Sequence, residues 1–156
     1  MKVRDILRFN GPHGSFYLRE SDKPMILLAG GTGFAPIKSI VLEALYLDLK
    51  RPIHIYWGAR DRAGLYQYEV AEAWAAQYPY IQFIPVLSEP ATTPGWAGRT
   101  GLVHEAVLAD FPDLSGHEVY ACGAPAMIAA ARADYLGKAH LPEDAFFADA
   151  FEFAAN

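Results

Sequence analysis

The chain has 156 residues, of which 53% are hydrophobic, and a formal net charge of -5. This length and composition favour one globular domain with a core, and the acidic balance disfavours nucleic acid, which is bound by clustered Lys and Arg. The single cysteine, Cys122, excludes an internal disulfide, and no apolar run approaches the roughly 20 residues of a membrane helix, so we expect a cytoplasmic protein with no membrane span.

The first 24 residues predict two short strands, at 6–9 and 15–18, that resemble the end of an antiparallel domain. From Met25 onward, short β-rich runs alternate with longer helical segments, which is typical of a parallel sheet covered by helices on both faces. The five predicted strands are Met25 to Ala29, Ile53 to Trp57, Ile81 to Leu87, Glu118 to Cys122 and Ala145 to Asp149. The four predicted helices are Pro36 to Leu49, Tyr68 to Gln77, Leu102 to Ala109 and Pro125 to Lys138. Residues 89–101, rich in Pro and Gly, predict a long loop able to contact a ligand.

The first strand ends in a glycine-rich turn, Gly30-Gly31-Thr32-Gly33, with Pro36 shortly after it. Glycines allow close approach to a ligand, and a following helix directs free N–H groups and partial positive charge to the same point. We therefore expect a pyrophosphate there; a turn without a ligand is the alternative. The G-x-G-x-x-G fingerprint is absent because Pro36 stands where the third glycine belongs, and a P-loop is absent because Ile37 precedes Lys38.

A second turn, Cys122-Gly123-Ala124-Pro125, follows the fourth predicted strand. Because the carboxyl ends of parallel strands meet at one edge, both turns should face the same crevice. Cys122 has no neighbouring base, so we interpret it as a packing or positioning residue and not as a nucleophile.

An acidic residue follows the third strand, in the pair Ser88-Glu89. A carboxylate there can accept hydrogen bonds from ribose hydroxyls and would repel a 2′-phosphate, which favours NADH over NADPH. Arg60 and Arg62 follow the second strand, and either can meet a phosphate if it turns inward. An exposed Glu without a ligand is the alternative.

Other candidate chemistry is weaker. The five histidines show neither i, i+4 pairing nor cysteine neighbours, so no metal site is expected. The aromatic residues between 146 and 153 are explained by core packing or by a ring placed against a flat cofactor.

Eight motifs follow one another along the chain: Gly11-Pro-His-Gly-Ser-Phe-Tyr-Leu-Arg19, Leu28-Ala-Gly-Gly-Thr-Gly-Phe-Ala-Pro36, Tyr56-Trp-Gly-Ala-Arg60, Gly95-Trp96, Gly98-Arg-Thr-Gly101, Asp110-Phe-Pro-Asp-Leu-Ser-Gly116, Tyr120-Ala-Cys-Gly-Ala-Pro125 and Phe147-Ala-Asp-Ala-Phe151. In this order they resemble the ferredoxin–NADP reductase superfamily. Within it they are most similar to the NADH-dependent reductases of the CDP-6-deoxy-glucoseen reductase type and their flavin reductase and oxygenase-reductase relatives. The resemblance implies an α/β fold with an open parallel sheet of strand order 3-2-1-4-5. It also implies that residues 1–24 are the remnant of a flavin-binding barrel and that residues 25–156 are the NAD(P)-binding domain.

The resemblance also assigns expected roles to residues. Gly31, Thr32 and Gly33 would hold the pyrophosphate and the nicotinamide-side ribose. Cys122 and Gly123 would lie beside the nicotinamide ring, Pro125 and Met127 would flank the adenosine end, and Phe151 would lie against the flavin. In the same position as Ser88-Glu89, relatives that use NADPH often carry Ser-Arg, which again favours NADH.

The expected function is that of the NADH-binding domain of a flavin-dependent oxidoreductase that positions nicotinamide for hydride transfer to FAD. The expected partners are a flavin domain and a ferredoxin-type 2Fe-2S domain or another electron acceptor, outside this chain. The alternatives are a nucleotide-binding or regulatory module without redox activity, and a free-flavin reductase that uses flavin as substrate. Apolar residues of the first 24 positions, among them Phe16, predict a possible homodimer contact.

Overall fold

Six parallel strands form one sheet in the computed structural model, which describes residues 16–150. The strands are β1 (Met25–Gly30), β2 (Ile53–Ala59), β3 (Ile81–Leu87), β4 (Arg99–Thr100), β5 (Glu118–Gly123) and β6 (Phe146–Ala150). Their order across the sheet is β4-β3-β2-β1-β5-β6. The five longer strands confirm the predicted order, because β3, β2, β1, β5 and β6 follow one another as expected.

The short strand β4 corrects the expectation that residues 89–101 form only a loop. Arg99 pairs with Val86 and Thr100 with Leu87, and the Gly101 N–H donates to the Leu87 carbonyl at 2.9 Å. The returning loop thereby satisfies backbone groups on the open edge of β3. Two residues are too few to show a strand pattern in the sequence.

Four helices cover the two faces of the sheet: α1 (Phe34–Tyr46), α2 (Tyr68–Gln77), α3 (Val103–Asp110) and α4 (Pro125–Lys138). The limits of α2 and α4 are as predicted. Within residues 16–150, none of the helices combines the length and apolar character that crossing a bilayer requires.

The predicted first helix was displaced at both ends. Helix α1 begins at Phe34 because a 3-10 turn, Gly31–Gly33, runs directly into it, so Pro36 lies within the first turn, where its missing N–H costs no hydrogen bond. It ends before Asp48, whose φ of 54° turns the chain, and the Leu49 N–H donates to the Ala44 carbonyl at 2.9 Å. The apolar pattern continued to Leu49 because that side chain packs on the core beyond the helix end.

Alternate residues of each central strand point into two separate cores. In β1, Leu27 joins the core beneath α1 and α2, whereas Leu28 joins the core beneath α3 and α4. Both side chains are completely buried. This double burial explains the continuous apolar runs seen in the sequence.

Residues 16–24 pack along one face of the sheet. Leu18 is 3% exposed, and the Phe16 ring meets the Tyr120 ring edge-on with centroids 6.3 Å apart. The predicted strand at 15–18 is wrong over residues 16–18, which are irregular because they pack by their side chains and pair with no strand of the described chain. Phe16 is also half-buried and not exposed as expected. The strand at 6–9 and the homodimer contact involve residues outside 16–150 and stay predictions.

A buried ion pair fixes residues 16–24 to the sheet. Arg51 Nη2 lies 2.6 Å from Oε1 of Glu118, and both residues are less than 9% exposed. The same guanidinium donates from Nε to the Lys23 carbonyl and from Nη1 to the Arg19 carbonyl, both at 2.9 Å. One planar cation therefore joins this segment, the loop before β2 and the first residue of β5.

We expect Arg51→Met to lower the free energy of unfolding by about 3 kcal/mol, because it leaves the Glu118 carboxylate buried without its partner. Urea denaturation of the purified chain measures this. The matched control is Arg132→Met, which removes an exposed pair with Glu143 (2.8 Å) and should cost less than about 1 kcal/mol. Equal losses in the two variants would contradict the role given to Arg51.

Candidate functional site

A crevice of about 910 Å³ opens at the carboxyl edge of the sheet. Its walls come from the segments that follow β1, β2 and β3 and from the first turns of α3 and α4; they are Gly30, Gly31, Thr32, Gly58, Ala59, Arg60, Asp61, Gly64, Ser88, Glu89, Gly101, Leu102, Val103, His104, Ala124, Ala126, Met127 and Ala130. Strand order reverses between β1 and β5, and open α/β sheets bind ligands at such a switch point. The volume is within the range of sites for small molecules and cofactors.

The turn after β1 is held against the end of β5 by contact between backbones. A β-carbon added at Gly33 would stand 2.1 Å from the Cys122 carbonyl oxygen, so no side chain fits there. Gly31 has a φ of 53°, which residues with side chains rarely adopt. Gly31 and Thr32 line the crevice, whereas Gly33 and Pro36 do not. The glycine at 33 is thus required by the fold, in addition to any ligand.

Trp57 supports this turn from the core. Its Nε1 donates to the Gly31 carbonyl at 2.9 Å, and its ring stacks on Phe34 with centroids 3.9 Å apart and planes 7° apart. The Tyr66 ring meets the Trp57 ring edge-on, with centroids 5.2 Å apart. Sequence reasoning missed this support. The available signal was an aromatic residue at the carboxyl end of β2.

Met127, on the first turn of α4, lies over both glycine turns. Its Cε is 3.1 Å from a β-carbon added at Gly30 and 2.9 Å from one added at Gly123. Met127 and Gly30 line the crevice as expected, whereas Gly123 and Pro125 lie beside it without lining it. The structure therefore brings the two predicted turns together.

Cys122 is completely buried in the core beneath α1 and α2 and does not line the crevice. Burial, and secondarily the charge of Asp149, raises the pKa of its thiol to about 12. The thiol is therefore neutral at physiological pH, in agreement with a residue that packs and is not a nucleophile. Phe151 lies outside the described residues.

The segments after β2 and β3 place Arg60, Ser88 and Glu89 together at one end of the crevice. The Glu89 N–H donates to the Arg60 carbonyl at 2.9 Å, and the Ser88 N–H donates to the Ala59 carbonyl at 3.0 Å. Arg62 is held away: its Nη2 pairs with Oε1 of Glu69 at 3.0 Å. Of the two arginines considered from the sequence, Arg60 lines the crevice and Arg62 does not.

The Glu89–Gly101 loop is fastened to α3 by a polar cluster. Asp110 accepts hydrogen bonds from the Tyr56 hydroxyl at 2.6 Å and from Arg99 at 2.9 Å, and the Arg99 carbonyl accepts from Trp96 Nε1 at 2.9 Å. Burial disfavours the charge on Asp110, but the hydrogen bonds from Arg99 and Tyr56 outweigh it, so its pKa is lowered. The charged carboxylate holds the loop that forms one wall of the crevice.

His104 is a further crevice residue that sequence reasoning missed. It is 7% exposed, and its Nε2 lies 3.4 Å from Oδ2 of Asp134 on α4. The pairing joins residues thirty positions apart in the chain, and no local spacing indicates it. Within residues 16–150 no group of three or more His, Cys, Asp or Glu is arranged to hold a metal ion.

Comparisons with known proteins agree on one class. A family model described as Oxidoreductase NAD-binding domain matches residues 27–133. The CDP-6-deoxy-L-threo-D-glycero-4-hexulose-3-dehydrase reductase of Yersinia pestis is 47% identical over 151 residues, which are 97% of this chain and 45% of that protein. The NAD(P)H-flavin reductase of Aliivibrio fischeri is 39% identical over 150 residues, 96% of this chain and 62% of that protein.

One solved structure has the same fold and is also similar to this chain in sequence. The Amycolatopsis cytochrome P450 reductase GcoB superposes with a TM-score of 0.83 at 32% identity, covering 93% of this chain and 44% of that one. The chain therefore spans less than half the length of GcoB and of the Yersinia relative.

We expect Gly33→Ala to lower the free energy of unfolding by more than about 2 kcal/mol, because the new methyl group would overlap the Cys122 carbonyl. Thermal and urea denaturation measure the loss. Gly137→Ala is the matched control: nothing lies within 4 Å of an added β-carbon there. That residue is inside α4, so its replacement should stabilise the chain by up to about 1 kcal/mol. A neutral Gly33→Ala would contradict the backbone contact.

Proposed function

The chain belongs to the oxidoreductase NAD-binding domain family, and from this premise we propose that it binds NADH in the crevice as the nucleotide domain of a flavin-dependent reductase. The observation that carries the proposal is the meeting of two glycine turns at the switch point of the sheet, on the edge of a crevice of suitable volume. The family also agrees with the resemblance that the motifs predicted.

The pyrophosphate site of the proposal is the Gly31–Gly33 turn. It directly precedes α1, a helix of 13 residues, whose first N–H groups and positive end favour an anion. The Gly31 carbonyl, which would repel a phosphate, is already engaged by Trp57 Nε1 at 2.9 Å. Thr32 is exposed on the crevice wall, where its hydroxyl and backbone can contact the phosphate or the neighbouring ribose.

The adenosine ribose is assigned to Ser88 and Glu89. Both are exposed on the crevice wall, and a carboxylate accepts from two ribose hydroxyls while repelling a 2′-phosphate. Arg60 lies on the same wall, and its positive charge would favour the 2′-phosphate of NADPH. We propose that repulsion of a 2′-phosphate by Glu89 outweighs its attraction to Arg60, so that the chain prefers NADH. We also assign the protein to the cytoplasm, because its single cysteine suits a reducing compartment.

The nicotinamide end is assigned to the turn that follows Cys122, with Gly123 beneath the ring and the neutral thiol packed behind it. When bound, NADH would supply a hydride from nicotinamide C4 for an FAD to accept. The residues expected to contact the flavin are in 1–24 and at Phe151; of these, 1–15 and Phe151 lie outside the described part of the chain. What the described residues contribute is orientation of the nicotinamide, which by itself accounts for a large part of such a rate.

A free-flavin reductase is the second candidate. It is favoured by the 39% identity to a protein named NAD(P)H-flavin reductase, of which this chain covers a larger share than of the Yersinia relative. In that case flavin would act as a substrate and would leave after reduction. The regulatory-module alternative differs from both because it would bind NADH without turnover.

Calorimetric titration tests the nucleotide preference. The wild-type chain should bind NADH more tightly than NADPH, and Glu89→Arg should shift the ratio of the two affinities toward NADPH on the order of tenfold, because a charge-assisted contact to the 2′-phosphate replaces a repulsion. Glu72→Arg, which makes the same charge change on α2 away from the crevice, is the control and should leave the ratio unchanged. An unaltered ratio in Glu89→Arg would refute the ribose assignment.

Oxidation of NADH, followed by its absorbance, tests the redox role. The purified chain should turn over only when flavin is supplied, or when it is joined to its flavin-binding partner. Saturation by free flavin at micromolar concentrations would favour the free-flavin reductase. Tight NADH binding with no turnover under either condition would favour the regulatory module.

A further inference from the structure

His104 is the one buried polar side chain among the described residues that line the crevice. Of the other polar side chains on the wall, Asp61 is half-buried and Thr32, Arg60, Ser88 and Glu89 are exposed to solvent. A buried polar group costs free energy unless it finds a partner, and Asp134 is the partner of only one ring nitrogen of His104, so the role of the other nitrogen requires an explanation.

His104 lies against one face of α4. Met127, Ala130 and Asp134 are spaced three and four residues apart and so share one face of α4. The first two line the crevice, and Asp134, one turn further on, lies 3.4 Å from Nε2 of His104. His104 therefore closes the end of the crevice that lies between α3 and α4.

The wall near His104 is otherwise apolar. Leu102 and Val103 precede His104 in the chain and line the crevice, and Met127 and Ala130 line it from α4. Leu102 is 53% exposed, which leaves its side chain available to cover a ligand. An apolar slot with one polar group fits a flat heterocycle that carries one hydrogen-bonding edge.

This end of the crevice is assigned to adenine on the proposed path of the nucleotide. The pyrophosphate is assigned to the turn after β1, the nicotinamide to Gly123 and the adenosine ribose to Glu89, which leaves the slot between α3 and α4 for the base. We propose that His104 is a specificity-determining residue that recognises the 6-amino edge of adenine; the inference rests on the proposed NADH site.

The chemistry depends on which ring nitrogen carries the proton. The negative potential of Asp134 favours the proton on Nε2, and Nδ1 is then the acceptor of the ring. An acceptor suits the amino group at C6 of adenine, which donates. It does not suit the oxo group at C6 of hypoxanthine, which also accepts. His104 thus distinguishes two bases of nearly equal size and shape.

Calorimetric titration of the purified chain with NADH and with reduced nicotinamide hypoxanthine dinucleotide tests this. The wild-type chain should bind NADH about tenfold more tightly, since the oxo group gives the Nδ1 acceptor of His104 no hydrogen to accept. His104→Phe keeps a ring in the slot and should bring the ratio close to one. His104→Gln carries both a donor and an acceptor and should also bring the ratio of the two affinities close to one. This second variant tests the proposal if His104→Phe does not fold.

His117→Phe is the matched control. His117 is half-buried at the amino end of β5, on the edge of the sheet opposite the crevice, so its replacement should leave the ratio unchanged. Equal binding of the two nucleotides by the wild-type chain, or full discrimination retained in His104→Gln, would overturn the role of His104. Failure of the wild-type chain to bind either nucleotide would instead overturn the NADH site itself.

Discussion

The arrangement of the site depends on one contact between two pieces of backbone. The turn after β1 and the end of β5 approach so closely at Gly33 and the Cys122 carbonyl that no β-carbon fits between them. This contact sets the start of α1, because the same turn leads directly into that helix, and Met127 then closes over both turns. The amino-terminal end of α1 and the first turn of α4 are therefore positioned together, and the crevice lies where they meet.

The positive end of α1 and the charged side chains lie in different parts of the crevice. The glycine turn offers N–H groups and the positive end of a helix, whereas the opposite wall carries Glu89 beside Arg60. A dinucleotide with a negative centre and neutral ribose hydroxyls at its end complements this arrangement. The acidic balance of the whole chain, -5, therefore does not oppose binding of an anion, since the local field near α1 has the opposite sign.

Sequence patterns predicted the elements whose signal is local. The strand Ile81–Leu87 and the helices Tyr68–Gln77 and Pro125–Lys138 occur at the predicted limits, because each is bounded by turn residues or by a proline. The two-residue strand β4 was missed because it is defined only by its partner on β3.

In the candidate site, glycines and acidic residues at strand ends were predicted because chain order alone brings strand ends to one edge. The contributions of Trp57 and His104 were missed because each depends on a residue distant in sequence: Gly31 for the first and Asp134 for the second. The placement of Cys122 beside the nicotinamide ring stays a prediction, and the structure adds that its side chain is in the core. Its direction is decided by strand pairing, which a turn motif does not reveal.

The burial of the Arg51–Glu118 pair has a consequence for ionic strength. Mobile ions screen exposed charges within about 10 Å at moderate salt, but they do not enter a site where both residues are less than 9% exposed. Exposed pairs such as Arg62 with Glu69 weaken as salt rises, while the attachment of residues 16–24 persists. The point at which the preceding chain leaves the sheet is therefore the same in dilute buffer and in concentrated salt.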